Sequence, residues 1–306
     1  MKRITATASF KPTGTDQLNH EIATPLVAVG KDGRQEFISG TAFIIGPGWG
    51  VTAFHVLEDF AWRYNQVRFN QGNLNTSFQL LALLTFDKGS HHLPLRVLRA
   101  WRANPLDLAV LAFGVASDWP EDHRWKVPAI DLLPPKVGTP VFAFGFANPT
   151  VARTSDSPYA TVNLMPHTTT GKVIEIHHEF RDSSRLPFPC FRTNARFDSG
   201  MSGGPVFSNA TGHLCGVICS SIPATKDDED HISYASTLWP IVGTKIDASP
   251  TSLSGSELYP IMHLFETGVL RAINLDKDGV AKDSEGRFVA YADYDPKDWD
   301  IPPPAF

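Results

Sequence analysis

Cysteine is scarce in this 306-residue chain: only Cys190, Cys215 and Cys219 occur, too few for a disulfide framework. On one extended strand Cys215 and Cys219 would lie about 13 Å apart, beyond disulfide reach, so all three read as small buried hydrophobes. Charge of one sign is also in short supply. Lys plus Arg number 27 against 32 Asp plus Glu, a net charge of −5 that gives no general attraction to phosphate backbones or anionic lipid. Neither nucleic acid nor membrane is an expected partner. No apolar run approaches the roughly 18 residues that cross a bilayer, and ITATASFKPTGTD, following Lys2 and Arg3, is too polar for a signal-peptide core. A reducing, cytoplasmic location is expected.

Metal-ligand patterns are missing as well. His91-His92 and His177-His178 place neighbours on opposite faces of a strand, and no Cys-x-x-Cys or His-Glu-x-x-His motif occurs. Asp276-Lys277-Asp278-Gly279 brings its glycine too early for a calcium loop of the EF-hand kind. No metal and no organic cofactor is expected. Arg181, Arg185, Arg192 and Arg196 lack interleaved aromatics and read as solvated strand faces.

What is abundant is punctuation: 24 prolines and 23 glycines separate short runs rich in Val, Ile and Phe, the pattern of closely spaced antiparallel strands. Candidates are Thr24–Val29, Phe37–Ile45, Gly50–Ala53, Val67–Phe69, Phe78–Phe86, Arg96–Trp101 and Leu108–Phe113. A second series comprises Pro140–Phe146, Gly171–His177, Cys190–Arg196, Pro205–Phe207, Leu214–Ser220 and Ser233–Ser236. Helical periodicity is confined to a turn after His55, through Arg63, and to Leu238–Ile246. This predicts an all-β chain with two six-stranded barrels. The expected divisions are an N-terminal segment (1–21), a first barrel (22–116), a connector (117–136), a second barrel (137–249) and a C-terminal extension (250–306). The extension reads as an appendage lying across the cleft or docking a regulatory partner. On that reading truncation near Pro250 raises activity and leaves the barrels folded.

The chemistry-bearing segment is DSGMSGGPVFS, 198–208. A serine among glycines makes a tight turn in which the Gly200 and Ser202 N–H groups can point at one spot, as an acyl-transfer oxyanion requires. Two partners stand upstream. His55, in GVTAFHVLEDF, follows a short apolar strand, and Asp107, in NPLDLAVLAF, precedes a run that would be buried. A weakly nucleophilic hydroxyl needs an imidazole base, and that imidazole needs a carboxylate to fix its tautomer.

The order His, Asp, Ser, their spacing and the three local motifs resemble the chymotrypsin/trypsin-like serine peptidases. Asp-Leu-Ala-Val-Leu and TNARFDSGMSGGPV are closest to the HtrA-like bacterial branch, although no PDZ domain is recognisable. The resemblance implies a double β-barrel serine endopeptidase acting on a protein or peptide substrate. By it, His55 is the general base, Asp107 its orienter, Ser202 the nucleophile, and the Gly200 and Ser202 amides the oxyanion hole. GHLCGVICSS, 212–221, matches the cleft strand, so Cys219, Ser220 and Ser221 would pair with an extended substrate. Arg196, Phe197 and Ser199 fall in the segment that walls the primary pocket. Arg196 there would favour an acidic residue before the cleaved bond, whereas an HtrA-like pocket, built from loop backbone, would leave Arg196 pointing elsewhere; the second is the reading adopted. Met201 replaces the aspartate that pairs with a newly cut N-terminus in secreted trypsins, and Val56 the cysteine after their histidine. Asp227–Asp230 reads as a solvated loop tip. The alternative function is a silent trypsin-like module acting as a regulated binding domain.

Overall fold

The structure is a computed structural model that describes residues 9–13, 19–30, 35–64, 78–86, 91–115, 125–153, 160–222, 231–247, 258–273, 281–282 and 288–290. Val67–Phe69, Asp227–Asp230 and Asp276–Gly279 lie outside the described residues. In chain order the strands are β1 (Ser9–Pro12), β2 (Ala23–Gly30), β3 (Gln35–Gly46), β4 (Trp49–Thr52), β5 (Phe78–Phe86), β6 (His91–Arg102), β7 (Ala109–Val115), β8 (Ile130–Asp131), β9 (Pro140–Phe146), β10 (Thr150–Arg153), β11 (Ala160–Asn163), β12 (Pro166–His177), β13 (Cys190–Thr193), β14 (Pro205–Ser208), β15 (Leu214–Ile222), β16 (Ile232–Ser236), β17 (Lys245–Asp247), β18 (Leu258–Pro260) and β19 (Ala272–Ile273). The helices are α1 (Asn19–Ile22), α2 (Phe54–Tyr64) and α3 (Met262–Glu266).

Two six-stranded antiparallel barrels result. The first closes in the order β2-β3-β4-β7-β6-β5, and the second in the order β9-β12-β13-β16-β15-β14, with β14 pairing both β9 and β15. Several of their strands are apolar on both faces because each face meets a different core. In β3, Ala42 and Ile44 fill the first barrel while Phe43 and Ile45 face the seam between barrels. In β9, Val141 and Ala143 fill the second barrel while Phe144 and Phe146 enter the same seam. Period-two alternation with two buried faces reads in sequence as a continuous apolar run.

Residues 258–273 are part of this seam rather than an appendage. Ile261 and Met262 are fully buried, and Leu264, Phe265 and Leu270 join them against residues of both barrels, while β19 extends the second sheet through β8. Removing one such side chain costs about 2–5 kcal/mol, and five together match or exceed the roughly 5–15 kcal/mol that holds a whole domain. This packing favours unfolding on truncation over the release of active barrels. Deleting 248–306 is expected to give insoluble or molten chain, read by loss of a cooperative thermal transition.

The expected helix over Leu238–Ile246 is a single 3₁₀ turn, Trp239–Gly243, followed by β17. One turn suffices to bury Ile241 and Val242, and Gly243 disfavours further helix. β1 gives little sequence signal, since SFKP carries one large apolar residue and a proline; it forms by pairing antiparallel with β12, Phe10 opposite Thr169. No helix among the described residues is long and apolar enough to cross a membrane.

Candidate active site

β4 ends at Thr52 and the chain turns at Ala53 into α2, so His55 falls in the helix's first turn. That turn has no acid of its own; Asp107, just ahead of β7, supplies one. Its Oδ1 accepts the His55 backbone N–H at 2.8 Å, and its Oδ2 lies 2.6 Å from His55 Nδ1. An ionised carboxylate can only accept, so Nδ1 carries the proton and Nε2 presents a lone pair. The imidazole is 41% exposed and Asp107 15%. Burial works to lower the His55 pKa, but the Asp107 hydrogen bond and charge, helped by Glu58 and Asp59, outweigh it and leave the pKa above its usual 6.5.

The serine turn is built by its carbonyls. In a trans peptide the N–H points opposite to the preceding C=O. The Ser199 carbonyl accepts the Asn148 N–H at 2.7 Å, and the Met201 carbonyl accepts the Gly204 N–H at 2.9 Å, so the Gly200 and Ser202 N–H groups are aimed away from these bonds. Among the described residues neither N–H has a hydrogen-bond partner. Two glycines make the turn possible. Gly200 has φ +88° and Gly203 φ +84°, backbone that side chains rarely adopt, and a Cβ on Gly203 would lie 2.2 Å from the Thr41 carbonyl oxygen and 2.3 Å from Thr52 Oγ1.

That close approach brings the turn to the first barrel. Thr41 on β3 donates its N–H to the Ser202 carbonyl at 2.9 Å and its hydroxyl to the Gly200 carbonyl at 2.8 Å, while the Phe146 N–H of β9 donates to that hydroxyl at 3.2 Å. Ser202 is thus held at the end of β4, beside the residues that lead into His55. Among the described residues no hydrogen bond joins the Ser202 hydroxyl to the His55 ring.

Beside His55 opens a cavity of about 390 Å³, lined in part by Arg102, Asp107, Arg185, Leu186, Cys219 and Ser220. The loop forming one wall is tied down by Asp182, whose Oδ1 accepts the N–H groups of Arg185 at 2.6 Å and Ser184 at 3.0 Å. The Arg185 N–H above all, against the effect of burial and with help from Ser184, holds this carboxyl well below the usual range. Of the expected substrate-binding residues, Cys219 and Ser220 line the cavity and Ser221 is exposed beyond them. β15 pairs with β14 only through Val217, so among the described residues Cys219–Ser221 keep one backbone edge unpaired.

Neither Phe197 nor Arg196 is among the residues lining that cavity. Phe197 is 5% exposed and packs in the core of the second barrel. The Arg196 Nε and Nη2 fork onto Asp198 at 2.6 and 2.7 Å, and its guanidinium lies 4.5 Å over the Phe10 ring. Ser199 is exposed and contributes its carbonyl to the turn. The three cysteines are free and buried; burial first of all raises their pKa values, Cys190 to about 12, so the thiols are inert at neutral pH. Thr41, Asn148 and the 182–188 wall were not legible as site residues. Only Asn148-Pro149 carried a signal, that of a turn, and Asn148 does adopt φ +45°.

The chain is similar to the solved Rv3671c protease from M. tuberculosis in its active form, at 16% identity and TM-score 0.44, covering 74% of this chain and 79% of that one. A serine-to-alanine mutant of Rv3671c from M. tuberculosis H37Rv, in its inactive form, is similar at the same identity and TM-score, covering 76% and 92%. No curated protein matches the chain. A family model described as the trypsin-like peptidase domain matches residues 40–217, more than half of the chain and the whole stretch from β3 through His55 and Asp107 to the serine turn. The chain belongs to the trypsin-like peptidase domain family.

Proposed function

We propose that the protein is a serine endopeptidase that hydrolyses peptide bonds of protein substrates. The observation that carries this reading is the pairing of a tautomer-fixed His55, 2.6 Å from Asp107, with a serine turn whose two outward N–H groups are unpartnered among the described residues. Ser202 Oγ attacks the substrate carbonyl carbon as His55 Nε2 takes the hydroxyl proton. The carbonyl electron pair moves onto oxygen, where the Gly200 and Ser202 N–H groups stabilise it. Collapse of the tetrahedral intermediate breaks the C–N bond and His55 passes its proton to the departing amine. Water, deprotonated by the same nitrogen, then releases the acyl group and regenerates the serine. The free edge at Cys219–Ser221 suits an extended substrate strand. Specificity for acidic residues through Arg196 is not supported, because that cation is already engaged.

The absence of a Ser202–His55 hydrogen bond is what a silent binding module would also show. Substrate-free acyl-transfer sites commonly have such bonds long or unformed, so the peptidase is the reading retained. A reducing, cytoplasmic location is consistent with three free, buried thiols. The test is a serine-directed phosphonate followed by peptide mapping. Stoichiometric labelling at Ser202 is expected, abolished by Ser202→Ala; no labelling in wild type would leave the binding module.

A further inference from the structure

β1 is fastened along one edge of β12. Besides its strand pairing, Thr13 donates its N–H to the Pro166 carbonyl at 2.9 Å, the Thr13 and Thr168 hydroxyls lie 2.7 Å apart, and the Ser9 and Thr170 hydroxyls 2.8 Å apart. This places the Phe10 ring parallel to the His167 imidazole, centroids 4.4 Å apart and planes 17° apart. The Arg196 guanidinium packs on Phe10 as well, a cation–π contact that restrains an otherwise exposed side chain. Arg196 is fixed at its backbone too, donating its N–H to Thr169 Oγ1 at 3.0 Å.

From Arg196 the contacts run to the serine turn without a gap. Its planar fork grips both oxygens of Asp198, a geometry that sets orientation as well as distance. Asp198 is only 14% exposed and also accepts Asn148 Nδ2 at 3.2 Å, while its carbonyl accepts the Met201 N–H at 3.1 Å. Asn148, in a left-handed conformation that needs outside support, then uses its own N–H to hold the Ser199 carbonyl. That carbonyl shares a peptide plane with the Gly200 N–H. The residue before Ser202 is Met201, fully buried, so that position offers no carboxylate to brace the turn from within.

We propose that β1 is a built-in brace for the oxyanion turn: Phe10 is a positioning residue that, through Arg196, Asp198 and Asn148, aims the Gly200 N–H. The inference rests on the peptidase reading above. Removing the ring lets Arg196 swing into solvent and frees the Asp198–Asn148 clamp. The Gly200 peptide then rotates out of line, while the Cys219–Ser221 edge that binds the substrate backbone is untouched. A loss in kcat with little change in KM marks an interaction made in the transition state. Loss of an oxyanion donor costs about 10²–10³ in kcat, so partial misaiming is expected to cost about 10- to 100-fold.

The experiment uses the full chain and compares Phe10→Ala, Phe10→Trp and Arg196→Gln with wild type. Peptides carrying an acidic, a basic or a small aliphatic residue before the scissile bond are the substrates, and thermal melting is followed in parallel. The expected result is a kcat about 10- to 100-fold lower in Phe10→Ala and Arg196→Gln for all three peptides, KM within about twofold, and recovery in Phe10→Trp, which restores the stack. Phosphonate labelling of Ser202 should slow in step. Unchanged kcat and labelling in a folded Phe10→Ala, or an Arg196→Gln defect confined to acidic peptides, overturns the brace but not the peptidase. Should Phe10→Ala not fold, Arg196→Gln, altering an exposed side chain, decides alone. A wild type that is neither labelled nor active overturns both readings.

Discussion

Ser202→Ala is expected to lower kcat on a peptide substrate by about 10⁶-fold, with the protein still folded. On the proposed peptidase reading the magnitude follows from the nucleophile, its base and the base's orienter acting as one unit, so that losing the nucleophile forfeits nearly all they supply together. What survives, about 10³–10⁴ over water, comes from the oxyanion donors and from substrate binding. The fold should tolerate the change because Ser202's structural bonds are made by its backbone: its carbonyl accepts from Thr41, and among the described residues its N–H has no partner. The measurement is steady-state turnover beside circular dichroism. A variant retaining a tenth of wild-type turnover would refute Ser202 as nucleophile.

Asp107→Asn is expected to lower kcat by about 10⁴-fold, for an electrostatic reason and a tautomeric one. The asparagine amide can offer an N–H to His55 Nδ1, which leaves the ring proton on Nε2, where it cannot accept one from Ser202. The pH profile separates this from simple unfolding. In wild type the base must be neutral, so kcat/KM should rise with pH on an acid limb whose apparent pKa lies above 6.5, as the raised His55 pKa requires. Replacing the carboxylate removes the largest raising influence and leaves burial, which lowers, opposed only by the smaller effects of Glu58 and Asp59, so the limb should move to lower pH while the plateau falls. Stability carries the opposite sign. A folded-state pKa above the unfolded value contributes stability that is complete below about pH 6.5 and is lost as pH rises through the folded pKa. Wild-type melting temperature should therefore lose this contribution across the interval in which activity appears, and Asp107→Asn should lack that slope. An unmoved acid limb would show that Asp107 does not set the ionisation of His55.

Much of the barrel fold was legible because both faces of several of its strands are buried. β9 was read to the residue, Pro140–Phe146, since an apolar face toward the barrel and another toward the seam leave no polar residue between its ends. The strands and contacts that went unread are those whose partners are distant in sequence. β1 has almost no apolar content and is defined by the edge of β12, and Arg196 was aligned with a specificity pocket although its ring partner, Phe10, sits near the other end of the chain. The C-terminal segment failed for a related reason. Ile261, Met262 and Leu264 form too short a run to announce a core, yet the seam between barrels takes them completely.

By itself the sequence determined the residue types and their local chemistry. A serine turn needs glycines at the positive-φ positions, a base needs a histidine delivered at the end of a strand, and its orienter needs an acid at the mouth of a buried run. These requirements act over a few residues and so leave local marks. The tertiary structure decided which groups meet: Asp107 with His55, Thr41 with the serine turn, Phe10 with Arg196, and residues 258–273 with both barrels. Such meetings depend on closure of two barrels and on the carbonyls that fix each peptide plane, and those contacts are made across the fold, where neighbouring residues carry no record of them.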